Sequence, residues 1–104
     1  MELLWWRECP SWERALAILR TEMEAAGIDP AELRIVEIRS EEDAARHRFP
    51  GSPTIRVGGR DIQSPGPEEP IGLTCRLYRH RDGRPSPLPD RADIREALKK
   101  MMRR

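Results

Sequence analysis

Three observations predict a small α/β fold of the order βαβαββα, a four-stranded mixed sheet with helices on both faces. Short apolar runs of strand length alternate with segments whose apolar residues recur at helical spacing. The helical segments carry start or stop residues of their own. The first two strands are joined through a helix, a crossover that makes them parallel. At 104 residues the chain has room for one core of useful size, and it is read as a single domain spanning 1–104.

Glu2-Leu3-Leu4-Trp5-Trp6 is an apolar run too short for a helix and ends at charged Arg7-Glu8, so it reads as a buried strand. Trp12, Ala15, Leu16, Leu19 and Met23 then line one helical face, and Gly27 stands where a left-handed residue closes a helix. After the break at Asp29-Pro30, the β-branched stretch Arg34–Arg39 reads as a second strand. Ser40 and Asp43 form a capping box that opens a short helix through about Arg48.

Phe49-Pro50-Gly51-Ser52-Pro53 is a turn cluster that leads into the strand Thr54–Val57, and Gly58-Gly59 is a tight turn. Gln63–Pro70, with three prolines, reads as a loop. Leu73–Arg79 alternates and is predicted as the fourth strand, antiparallel to Thr54–Val57 in the manner of a hairpin. A Pro-rich passage, Gly83–Pro89, precedes a last helix with Asp90 as N-cap, Asp93 as its third-position partner, and Ile94, Ala97, Leu98 and Met101 as its buried stripe.

The 19 basic and 18 acidic residues nearly cancel, which argues against a partner recruited by overall charge such as nucleic acid. From Arg76 onward ten basic residues face only four acidic ones, a local excess that suits a solvated helix end and tail. No stretch approaches the ~20 apolar residues of a membrane span, and residues 1–8 lack the plan of a secretory signal. The expected location is therefore cytoplasmic, where two cysteines are reactive, metal-binding or simply buried rather than a structural staple. His47 and His80 have no further ligand at metal spacing, so no metal site is expected.

Two motifs carry chemistry. Cys9-Pro10-Ser11-Trp12 follows the first strand and Gly51-Ser52-Pro53-Thr54 precedes the third. Together with the order of elements they resemble the thioredoxin and glutaredoxin superfamily, in which a Cys-x-x-Cys or Cys-x-x-Ser site opens the first helix and a cis proline packs beside the reactive thiol. The resemblance spans most of the chain as an order of elements and about eight residues as motifs. The segment Gly72–Tyr78 also resembles short thioredoxin-like proteins grouped with organomercurial lyase.

The resemblance implies a thiol–disulfide oxidoreductase in which Cys9 is the reactive thiol. It implies that Pro10, Ser11, Trp12, Ser52, Pro53 and Thr54 line the substrate, and that the N–H and C=O of Ser52 pair with a substrate backbone. The partners it implies are a thiol or disulfide peptide, a protein, or glutathione as co-substrate, with no bound cofactor. Trp12 departs from the pattern, for it stands where a dithiol enzyme has its second cysteine. Chemistry must then run through Cys9 alone or recruit Cys75.

The physical case for Cys9 rests on its position. A free thiol with a pKa of about 8.5 is mostly protonated at neutral pH. Unpaired N–H groups at a helix start favour the thiolate, and Pro10 in the first turn sacrifices no hydrogen bond. Arg7 adds a positive charge nearby that Glu8 opposes.

Bland alternatives stand beside each of these readings. Cys9 is otherwise a half-buried cysteine in a non-catalytic binding module, and Trp12 the first core residue of its helix. Cys75 is otherwise a small buried residue in a strand, and Pro53 an ordinary strand-entry proline. Trp5 and Trp6 point to opposite faces, so that one joins the core and the other borders the thiol. A weaker alternative is capture of a soft metal or mercurial by Cys9 and Cys75. Arg76, Arg79 and Arg81 offer charge for an acidic partner or the glutathione carboxylates.

Overall fold

The computed structural model describes residues 1–64 and 70–103. Strand β1 (Glu2–Trp5) leads to helix α1 (Trp12–Ala25), strand β2 (Arg34–Glu37), helix α2 (Glu41–His47) and strand β3 (Thr54–Val57). There follow β4 (Arg60–Asp61), β5 (Tyr78–Arg79), β6 (Pro85–Ser86) and helix α3 (Arg91–Met102). β1 to β4 form one mixed sheet in the order β2-β1-β3-β4, while β5 and β6 form a separate two-stranded hairpin. β1 runs parallel to β2, with Leu3 opposite Ile35, and antiparallel to β3, with Leu3 opposite Ile55.

Because successive side chains on a strand point to opposite faces, neighbouring Leu3 and Leu4 serve two different cores. Leu3, Ile55 and Val57 pack with Leu19 and Met23 of α1 and Ile94 and Leu98 of α3. Leu4 packs with Ile38, Phe49 and Ala44 of α2. The two tryptophans divide in the same way, Trp5 against the first cluster and Trp6 against the second.

The local signals explain the helix ends. α1 closes in a Schellman motif, in which the Ile28 N–H bonds the Met23 carbonyl and the Gly27 N–H that of Glu24. Ser40 Oγ accepts from the Asp43 N–H at 3.0 Å, and the Asp43 carboxylate reaches back to the Arg39 N–H. Asp90 caps α3 through the Ala92 N–H at 2.9 Å.

The fourth strand is a correction. The edge of the sheet is Arg60–Asp61, with Arg56 opposite Asp61 and Val57 opposite Arg60. Gly58 and Gly59 both have positive φ, 61° and 79°, which is the requirement of the two-residue turn that returns a strand antiparallel to its predecessor. Of Leu73–Arg79 only Tyr78 and Arg79 lie in a strand, and their partners are Ser86 and Pro85, inside the stretch expected to be an irregular Pro-rich passage. The loop expected over Gln63–Pro70 falls in large part on residues 65–69, outside the described residues. No helix among the described residues is long and apolar enough to cross a membrane.

α1 and α3 are tied together by charge as well as by packing. The Glu22 carboxylate, its side chain only 6% exposed, takes two hydrogen bonds from Arg95 at 2.8 and 3.0 Å and an ion pair from Arg91 at 3.5 Å. The Arg95 hydrogen bond holds the Glu22 carboxyl below its ordinary range, against the opposing effect of burial. Its contribution is therefore complete above the unfolded value of about 4.3 and fades as the pH falls toward the lower folded one. Glu22→Gln is expected to cost about 1 kcal/mol at neutral pH, because both arginines reach solvent. Urea titrations should show the deficit shrinking below about pH 4 as the wild-type carboxyl itself protonates.

Candidate functional site

The loop between β1 and α1 is pinned at both ends. Trp5 at the end of β1 and Trp12 at the start of α1 stack with ring centroids 4.0 Å apart, so Trp12 is half-buried against Trp5. Between them, the Cys9 N–H bonds the Trp6 carbonyl at 3.0 Å, and the Trp6 N–H bonds Ser52 Oγ at 2.9 Å. This holds Cys9 beneath the Ser52–Pro53 turn, with the cysteine 1% exposed.

α1 begins at Trp12 with Ser11 as N-cap, so Cys9 lies two residues before the cap, and Pro10 sits in an exposed turn rather than in the first helical turn. The Ser11 side chain makes no capping bond to the helix. It turns instead to Cys9, with Oγ 3.3 Å from Sγ.

Four donors surround the Cys9 sulfur. Burial, the largest single influence, opposes its ionisation. Hydrogen bonds from the Cys75 thiol, from the Ser11 hydroxyl and N–H and from the Ser52 hydroxyl together outweigh burial and hold the Cys9 thiol below its ordinary value. When protonated, Cys9 donates to the Ser52 carbonyl at 3.4 Å. Arg7 and Glu8 are exposed, and the lowering comes from hydrogen bonds, not from the charge of either.

Cys75 behaves in the opposite sense. It is exposed, not the small buried strand residue of the bland alternative. Its pKa is pushed up to about 11, first by burial of the thiol, then by its role as donor to Cys9 and by the charge of the Cys9 thiolate. Both cysteines are free thiols. Replacing Cys75 by Ala removes the strongest donor, so Cys9 should titrate higher than in the parent chain. Ultraviolet thiolate absorbance against pH measures the change, and an unmoved titration would count against the contact.

Cys75 is held there by backbone pairing. Residues Ser52 and Cys75 form an isolated parallel bridge, in which the Ser52 N–H bonds the Thr74 carbonyl at 2.8 Å and the Arg76 N–H bonds the Ser52 carbonyl at 2.9 Å. The groups of Ser52 that were expected to meet a substrate backbone are thus engaged by the chain's own segment. Pro53, joined to Ser52 by a cis bond, is buried and its carbonyl accepts from the Tyr78 hydroxyl at 2.5 Å. Thr54 is fully buried and donates to the Gly51 carbonyl at 2.6 Å.

Arg76 anchors the segment, a role that sequence reasoning missed. Its side chain, 3% exposed, pairs with Asp61 of β4 at 2.7 Å, bonds the Gln63 carbonyl, touches Thr54 Oγ and lies over the Tyr78 ring at 4.4 Å. It is therefore not available to an acidic partner. Arg81 likewise turns to Asp93 and Glu96 of α3, and Arg79 to the Gly83 carbonyl. A signal for Arg76 was present in the alternation of Leu73–Arg79, where Arg76 and Tyr78 are buried while Cys75, Leu77 and Arg79 are exposed.

Among the described residues no group of three or more His, Cys, Asp or Glu side chains gathers as a metal site. Comparison of the chain with protein-family models, with curated proteins and with solved structures gives no match.

Proposed function

We propose that the chain is a thioredoxin-like thiol–disulfide oxidoreductase working through the Cys9–Cys75 pair. The observation that carries the reading is that both cysteines meet at Ser52, whose carbonyl lies 3.4 Å from the Cys9 sulfur and whose backbone bridges to Cys75, one thiol buried and held below its ordinary pKa, the other exposed. The strand order β2-β1-β3-β4, the thiol between β1 and α1, and a proline turn into β3 support the fold part of the proposal.

The net reaction converts the dithiol and an external disulfide R–S–S–R into the Cys9–Cys75 disulfide and two molecules of R–SH. Two electrons leave the protein sulfurs, and the released thiolates take up the proton that the pair carries and one from water. Two equivalents of glutathione or another small thiol reverse it and regenerate the dithiol. Cys75 thereby supplies the second sulfur that Trp12 excludes from the motif.

The test is equilibration of the protein in glutathione buffers of graded redox poise, followed by acid quench and peptide mapping. A Cys9–Cys75 disulfide that appears and disappears reversibly with the poise, together with turnover of a glutathione mixed-disulfide substrate, is the expected result. Two thiols that stay reduced until the protein unfolds would overturn the proposal and leave a binding module.

A further inference from the structure

Resting on that reading, we propose that external thiols and disulfides enter the pair at Cys75, and that Cys9 acts behind it as internal base and resolving nucleophile. This inverts the order the sequence suggests, in which Cys9 attacks first. The argument is one of access. Cys9 is 1% exposed beneath Ser52 and the Thr74–Arg76 segment, whereas Cys75 is exposed on that same segment. The segment does not stand aside readily, since Arg76 and Tyr78 fasten it to Asp61, Gln63 and Pro53. A disulfide arriving from solvent therefore meets the Cys75 sulfur.

The chemistry runs without a further reactant. In the resting pair the Cys75 S–H donates to the Cys9 thiolate. As the Cys75 sulfur attacks glutathione disulfide, its proton passes to Cys9. The S–S bond of glutathione disulfide breaks, one glutathione leaves as thiolate, and the other remains bonded to Cys75. With the thiolate of Cys9 neutralised and its donor consumed, the Cys9 proton passes to the departing thiolate. Cys9 then attacks the Cys75 sulfur, closes the internal disulfide and expels the second glutathione thiolate, which takes a proton from water.

Reduction retraces these steps. An incoming thiolate attacks the reachable Cys75 sulfur, and Cys9 leaves. Cys9 is the better leaving group because the Ser11 hydroxyl and N–H and the Ser52 hydroxyl remain in place to receive its thiolate, and a leaving thiol of lower pKa departs faster.

The experiment uses glutathione disulfide as the probe, on Cys9→Ser and Cys75→Ser chains, with the adduct located by intact mass and peptide mapping. Cys9→Ser should take up glutathione on Cys75 and keep it. Cys75→Ser should be captured on Cys9 at least about tenfold more slowly, because only a locally opened chain exposes that sulfur, and the difference should vanish in urea. Equal or faster capture at Cys9 in the native state overturns the proposal.

A brief pulse of glutathione disulfide on the unsubstituted chain, quenched in acid, gives the same answer without any substitution. The first adduct should map to Cys75. If the internal disulfide closes but the first adduct maps to Cys9, the order alone falls. If no internal disulfide closes in any glutathione buffer, the oxidoreductase reading falls with it.

Discussion

Arg76→Ala is expected to cost about 3–5 kcal/mol of folding stability, the range for removing one partner of a buried ion pair. The Asp61 carboxylate would lose its 2.7 Å partner in a position where its side chain is only 10% exposed. The Tyr78 ring would lose the guanidinium over its face, and the Gln63 carbonyl a donor. The effect should reach the thiols as well. Without the anchor, two backbone bonds to Ser52 and the Tyr78 hydroxyl on the Pro53 carbonyl are left to hold the segment, so Cys75 sits less firmly against Cys9 and the Cys9 titration rises toward that of an ordinary thiol. Arg76→Lys should rescue only part of either loss, since an ammonium cannot reproduce the planar fork. Urea denaturation and the thiolate titration report the two losses separately.

Gly51→Ala should cost about 2–4 kcal/mol, from an unfavourable backbone conformation together with overpacking. Gly51 has φ of 138°, and a Cβ there would lie 3.0 Å from Arg76 Cβ, 3.1 Å from its N and 3.2 Å from its Cα. Two of those three atoms are backbone and cannot swing aside. The chain must open between Gly51 and Arg76, which is the gap that the Ser52–Cys75 bridge spans. Gly51→Ala should therefore raise the Cys9 titration as Arg76→Ala does, while leaving the Asp61–Arg76 pair in place. A full-strength Cys9–Cys75 contact in this variant, read from an unshifted titration, would contradict the role given to the close approach.

What was legible in the chain was chiefly local. The helical spacing of Ala15, Leu19 and Met23, the caps at Ser40 and Asp90 and the stop at Gly27 depend on residues a few positions apart, and each appears where expected. The sheet edge was not legible, because Arg60 and Asp61 are two charged residues with no apolar period. The turn that creates their strand was read, but not its consequence. Leu73–Arg79 misled for a complementary reason. Its alternation is real, yet the buried members are Arg76 and Tyr78, a charged and a polar side chain whose partners Asp61 and Pro53 lie far away in the sequence. Glu22 escaped notice in the same way, as a carboxylate within an apolar stripe whose cations belong to another helix. The nearness of Cys75 to Cys9 depends on all of these long-range pairings at once.

That nearness joins two points of the chain with α1, β2, α2, β3 and β4 between them. If the sulfurs bond, all of that chain becomes a closed loop even when the protein is unfolded. In the chain-entropy description, a loop of this size removes enough freedom from the unfolded ensemble to favour the folded form by about 4 kcal/mol. Oxidation state and unfolding are then linked equilibria. The oxidised form melts higher, and by the same cycle the folded protein holds its disulfide more tightly against reduction than its unfolded chain does.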